Sequence, residues 1–231
     1  MDSSSIITPI VLSLIVALGI NLSMFVVAYL QKSDKLTDIS YAVTFIVIAL
    51  VAFVQSKGDV YHILLATMIT IWGIRLGGFL LYRVIKKGKD VRFDGTRESF
   101  KKFGIFWLTQ AVAVWVLMIP AIFAFNTTSS IGALSLAGFV LWVIGLVIET
   151  IADTEKIKFG QNKKNKNPWI DQGLWKYSRH PNYFFESNIC WGFFIFMMGS
   201  GVYWGIYSAL IILFLHLYII FRLRKLLPII L

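Results

Sequence analysis

The sequence predicts an all-α protein, a polytopic bundle of about seven transmembrane helices with its amino terminus outside and its carboxy terminus in the cytoplasm. Three observations predict it. Of the 231 residues, 58% are hydrophobic and 15% charged, with a mean hydropathy of +0.75. A water-soluble domain of this size could not hide that much apolar surface. The apolar residues form long continuous runs rather than alternating ones, which fits helices crossing a hydrocarbon core about 30 Å thick and excludes a spanning β-barrel. The third observation is the placement of the basic residues, which gather on alternate connections between the runs.

The runs fall at about 6–30, 39–56, 60–82, 104–125, 131–152, 182–199 and 202–221. Residues 1–5 carry no positive charge, so the first run reads as a span rather than a cleavable signal peptide. Its Pro9 and Gly19 are of the kind membrane helices tolerate, and Asn21 reads as a polar residue that packs helices together. Lys32 and Lys35 follow it, whereas the next connection holds only Lys57. Between the third and fourth runs lie Arg83, Lys86, Lys87, Lys89, Arg92, Arg97, Lys101 and Lys102. The next connection, Asn126 to Ser130, is uncharged and carries the glycosylation sequon Asn126-Thr127-Thr128. Lys156, Lys158, Lys163, Lys164, Lys166, Lys176 and Arg179 precede the sixth run, residues 199–201 are uncharged, and Arg222, Arg224 and Lys225 follow the last.

Twenty of the 22 basic residues thus fall on one side, which is the positive-inside asymmetry of a membrane protein. It also disposes of a nucleic-acid partner for the net charge of +10: anionic headgroups and topology account for it. The partners expected are membrane lipids and a lipophilic small molecule, in a bacterial inner membrane or an endoplasmic reticulum membrane. With no internal repeat, low-complexity tract or long linker, residues 1–231 read as a single integral membrane domain. The lone Cys190 sits in an apolar run and reads as a small buried hydrophobe.

Ionisable residues at membrane depth are costly and mark sites or buried pairs. They accumulate from the third span onward, in three places. Arg75 and Arg83 are eight residues apart, which at 100° per residue leaves their guanidinium groups within about 80° of each other. They suit either phosphate binding or, respectively, a buried carboxylate and the headgroups. Glu149 and Asp153, four apart on one helical face, suit either a ligand's hydroxyl or amide groups or helix–helix ion pairing. The densest group is Gly173-Leu174-Trp175-Lys176-Tyr177-Ser178-Arg179-His180-Pro181-Asn182-Tyr183, followed by Glu186. Pro181 fits the first turn of a helix, and a helix amino terminus beside Arg and His is suited to an anion. Neighbouring aromatic rings could stack on a nicotinamide or adenine. No metal site is expected.

Residues 173–183 with Glu186 and Trp191-Gly192 resemble the steroid 5α-reductase C-terminal family, particularly its small branch labelled by the domain of unknown function 1295. Ala152-Asp153-Thr154-Glu155-Lys156, Trp72-Gly73-Ile74-Arg75-Leu76, Asp90 and Arg92-Phe93 support the resemblance, which spans about 71–192. Residues 1–70 then form variable amino-terminal spans, and 193–231 a last span and short basic tail. The resemblance implies a helical bundle that binds NADPH from the cytoplasmic side and reduces an activated carbon–carbon double bond in a lipid or steroid-like molecule. Carried onto this chain, its cofactor positions are Asp153, Tyr177, Arg179, His180, Asn182, Tyr183 and Glu186, with Arg75, Asp90 and Arg92 upstream. Tyr177, His180 and Tyr183 are the available proton donors for catalysis.

Two other readings stand beside the reductase. Arg179-His180-Pro181-x-Tyr183 is also similar to the core of isoprenylcysteine and phospholipid methyltransferases, which would imply S-adenosylmethionine in place of NADPH. Phe185, where relatives usually have glycine, and the short tail fit a non-catalytic membrane protein that keeps the fold.

Overall fold

The computed structural model describes residues 3–87, 93–161 and 169–226. They form seven α-helices: α1 (Ser3–Leu30), α2 (Lys35–Gln55), α3 (Val60–Lys87), α4 (Phe100–Phe125), α5 (Ala133–Gln161), α6 (Pro181–Met198) and α7 (Ile206–Leu226). Among the described residues there is no strand. Helices answer the chemistry of these runs, because in hydrocarbon each backbone N–H and C=O must find its partner within the segment. Five helices, α1 to α5, are long and apolar enough to cross a membrane. At 18 residues α6 is about 27 Å long, slightly short of the hydrocarbon thickness. Several helices outrun the apolar runs that announce them: α3 continues to Lys87 and α5 to Gln161. Their charged ends still favour helix, and only the apolar portion signals membrane depth.

The chain forms two compact units, Met1–Ser130 and Ile131–Leu231. In the first, α1 and α4 share an aromatic core in which Phe25 and Ala28 meet Phe103 and Trp107. Ile7, Val11, Ile15, Leu22 and Val26 of α1 remain exposed along one stripe, an apolar surface suited to lipid.

Several polar groups inside this unit are bonded to one another. Asn21, fully buried, donates to Thr44 Oγ1 at 3.0 Å, and Gln110 Nε2 lies 3.1 Å from Asn21 Oδ1 and 2.7 Å from Ser40 Oγ. The packing role expected of Asn21 is therefore that of a hydrogen-bonded bridge between α1, α2 and α4. At the head of α2, Asp34 and Arg97, each 4% exposed, pair at 2.5 Å, with Asp94 also on the guanidinium. Arg83 pairs with Asp38 at 2.8 Å. The sequon residues are likewise engaged: Asn126 Nδ2 donates to the Ile122 carbonyl, the Thr127 carbonyl lies 2.9 Å from His62 Nε2, and Lys57 donates to Thr128 Oγ1.

The second unit is built on α5 and α6, which approach so closely that only glycine fits at several points of the seam. A Cβ on Gly138 would lie 2.2 Å from the Phe196 amide nitrogen, and one on Gly192 would lie 2.7 Å from the Trp142 nitrogen. Such small-residue contacts let membrane helices gain dispersion energy where lipid offers no hydrophobic drive. The Phe185 carbonyl faces Gly145 across the same seam, so the small residue needed there is supplied by α5. A tight turn at 199–202 sends α7 back along α6, with the Val202 amide bonded to the Met197 carbonyl at 3.3 Å.

Candidate functional site

The segment singled out by sequence is held against the end of α5 by its own side chains. Gly173 opens a 3-10 turn, Gly173–Lys176, with φ +58°, a left-handed conformation that disfavours any side chain. The turn's Leu174 amide donates to Glu155 Oε2 at 3.0 Å, and the indole of Trp175 donates to the Ala152 carbonyl at 2.9 Å. Lys156 Nζ lies 5.2 Å from the centroid of the Trp175 ring. Three consecutive kinds of contact thus dock one turn, and the chain leaving it reaches the amino terminus of α6 with a fixed direction. Pro181 occupies the first turn, and His180 stands at the cap, its amide donating to Ser178 Oγ at 3.2 Å.

Around this terminus lies a cavity of about 490 Å³ lined mainly by α6 and α7 residues and by the segment before α6. This volume falls within the range of small-molecule sites, about 300–1,000 Å³. Ser178, Arg179 and His180 line one end. Phe184, Trp191, Leu213 and Leu217 supply its apolar wall. Trp191 is about 15 Å along α6 from Pro181, so the cavity runs from the polar helix start into the apolar part of the unit.

Its polar wall is a stack of three rings. Tyr183 lies between His180 and His216, with centroids 5.5 Å and 5.0 Å away and interplanar angles of 8° and 3°. His216 is 7% exposed and bonded at both nitrogens: Nδ1 lies 2.9 Å from Ser187 Oγ and Nε2 lies 3.0 Å from Glu186 Oε2. Ser187 Oγ is also 3.0 Å from the Tyr183 carbonyl. Two proton arrangements fit the contacts of the His216 ring. In the neutral ring, Ser187 donates to Nδ1 and Nε2–H donates to Glu186. In the charged ring, Nδ1–H donates to Ser187, whose hydroxyl is free to donate to the Tyr183 carbonyl.

Of the residues expected from sequence, the structure brings Arg179, His180 and Tyr183 together at this cavity, with Glu186 joined to it through His216. Asn182 stands beside them at the helix start, its Oδ1 buried without a hydrogen-bond partner. Tyr177 is 85% exposed and does not line the cavity. Asp153 is buried on α5, as is Glu149, and neither lines the cavity. Arg75 belongs to the first unit, where its guanidinium lies 5.6 Å from the Phe79 ring centroid. Asp90 and Arg92 lie outside the described residues.

Sequence reading passes over His216, Ser187 and Asn188, all lining the cavity. His216 had a signal: it is an ionisable residue inside the last apolar run, 30 residues from Glu186. No local motif joins the two, because only the return of α7 along α6 makes them neighbours.

Comparison with curated proteins and with solved structures gave no match to this chain. Residues 24–222 match the family described as a protein of unknown function, DUF1295, a span that includes all seven helices in whole or in part and every cavity residue. The chain therefore belongs to the DUF1295 family.

Proposed function

We propose that the protein is an integral membrane oxidoreductase that uses NADPH to reduce an activated carbon–carbon double bond in a lipid, its cofactor site facing the cytoplasm. The observation that carries this reading is the cavity that joins a cationic, aromatic helix terminus to an apolar wall. One ligand there must be polar and anionic at one end, and the other must be apolar.

The residues present fit a phosphate-bearing nucleotide. Arg179 offers a forked, permanently charged donor at the rim, and the first amides of α6 have no acceptor within their own helix. Asn182 Oδ1, buried and without a partner, would accept from a carboxamide or ribose hydroxyl. When bound, the reduced nicotinamide supplies the hydride for the β-carbon of an enone-like lipid. The chain's own residues do the rest. Arg179 and the α6 terminus bind the phosphates, and the His180–Tyr183–His216 stack orients a flat ring against it. Phe184, Trp191, Leu213 and Leu217 exclude water, which strengthens each remaining polar contact. His180 and Tyr183, which line the cavity, are better placed than the exposed Tyr177 to deliver a proton to the lipid's oxygen.

The test is thermal stabilisation of the detergent-purified protein by NADPH, NADH and S-adenosylmethionine side by side. A ligand at about 100 times its Kd that binds only the folded state adds about 2.7 kcal/mol. Stabilisation by NADPH that is lost in Arg179→Ala and Asn182→Ala is the expected result. Stabilisation by S-adenosylmethionine alone would make the protein a membrane methyltransferase. No effect of any of the three would favour the non-catalytic reading.

A further inference from the structure

The ring of His216 is held by a carboxylate on one nitrogen and a hydroxyl on the other, inside an apolar helix, on the wall of the cavity. Burying a histidine and a serine at this depth is costly unless each is bonded, and here both are, with the partly exposed Glu186 completing the chain of contacts. The helix pair does not need them: α6 and α7 could meet through Leu and Phe alone. Packing therefore does not explain the trio, and its place on the cavity wall suggests a ligand contact.

We propose that Ser187 and His216, backed by Glu186, anchor the carbonyl-type oxygen of an amphiphilic lipid whose chain lies along α6 and α7. Ser187 Oγ is the atom that reaches the ligand. With a proton on Nδ1, His216 donates to Ser187, and the serine proton rests on the Tyr183 carbonyl, 3.0 Å away. Rotation about the Cβ–Oγ bond turns that proton to an acceptor in the cavity, with no movement of the backbone. Glu186 is a positioning residue: its carboxylate, 3.0 Å from Nε2, fixes the orientation of the ring. Apart from Asn188, the wall continues in apolar form through Trp191, Leu213 and Leu217, so the oxygen belongs to a molecule that is largely hydrocarbon at this end. Exposed Phe214 and Tyr218 on α7 leave that helix an apolar outer surface, as contact with lipid requires. The inference rests on the cavity being the lipid site of the proposed reductase, and names the group in the lipid that is recognised.

The probe is hexadec-3-en-2-one with a ¹³C carbonyl, added to the full-length protein in nanodiscs, with hexadecane as control. The carbonyl stretch in infrared difference spectra reports hydrogen bonding directly, without turnover. With the wild-type protein the band moves to lower wavenumber than in empty nanodiscs, and the enone binds about five- to tenfold more tightly than the alkane, as one net hydrogen bond gives. In Ser187→Ala the shift disappears and the two affinities become equal. In His216→Gln, which keeps a donor toward Ser187, part of the shift remains; in His216→Phe none does. A band that is the same in the wild-type protein and in Ser187→Ala, or equal binding of enone and alkane by the wild type, overturns the proposal. NADPH stabilisation of the wild-type protein, measured in parallel, tests the reductase reading separately: a carbonyl shift without NADPH binding leaves the anchor standing and removes the reductase.

Discussion

Replacing Gly173 by alanine should undock the turn that aims Arg179 and His180 at the cavity. At φ +58° an L-residue costs about 1–2 kcal/mol more than glycine. The new Cβ would also fall 2.0 Å from Glu155 Oε1, so the carboxylate has to withdraw from the Leu174 amide. A charge-assisted hydrogen bond of this kind contributes about 1.5–3 kcal/mol, and the partial exposure of Glu155 argues for the lower figure. At the low end of the strain range these come to about 2.5 kcal/mol, or roughly a 60-fold rise in the open population of the turn. Hydrogen exchange of the peptide covering 172–178, followed by mass spectrometry in detergent, reads that population at the Leu174, Trp175 and Tyr177 amides. Exchange should accelerate by one to two orders of magnitude in Gly173→Ala, while peptides from the middle of α5 and α6 keep their protection. Gly173→Asn, better tolerated in the left-handed region, should accelerate it less. Unchanged exchange in Gly173→Ala would refute the claim that Glu155 and the glycine hold the segment.

Three further substitutions test the scaffold. Arg97→Met removes the buried partner of Asp34 and should lower stability by about 3 kcal/mol or more, with much of the loss recovered in the Asp34→Asn/Arg97→Met double variant; thermal melts of the purified protein measure both. Gln110→Leu breaks the bridge to Asn21 and Ser40, and should cost about 1–2 kcal/mol in the same assay, since each interhelical hydrogen bond in a membrane contributes roughly 0.6–1.7 kcal/mol. Gly138→Leu forces α5 from α6 at the Phe196 backbone and should cost about 3 kcal/mol or more; a melt indistinguishable from wild type would mean that the seam is looser than its distances.

The division of labour between sequence and structure is clear at particular residues. The sequence alone is sufficient for the helices, since runs of 18 to 25 apolar residues have one solution in hydrocarbon. It is sufficient also for the motif at 173–183, where Gly173, Pro181 and the polar side chains between them are adjacent in the chain. Its reach fails where charges pair over distance. Arg97 reads as one more base in a solvated loop, yet it is buried against Asp34, 63 residues earlier. Arg83 reads as a candidate phosphate ligand or a headgroup anchor, and its guanidinium is on Asp38.

The ends of the helices and the cavity divide in the same way. Apolar length determined roughly where each helix lies, but not that α3 and α5 continue past their apolar parts to Lys87 and Gln161. What only the tertiary structure decided is the composition of the cavity wall. Glu186 and His216 belong to runs whose periodicity says membrane helix and nothing about a partner. The return of α7 along α6 sets them 3.0 Å apart and lays the His216 ring on Tyr183. The physical reason is range: hydropathy and turn chemistry act within a few residues along the chain, whereas a buried ionisable group is stabilised by whichever opposite charge the packing of helices brings within hydrogen-bond reach.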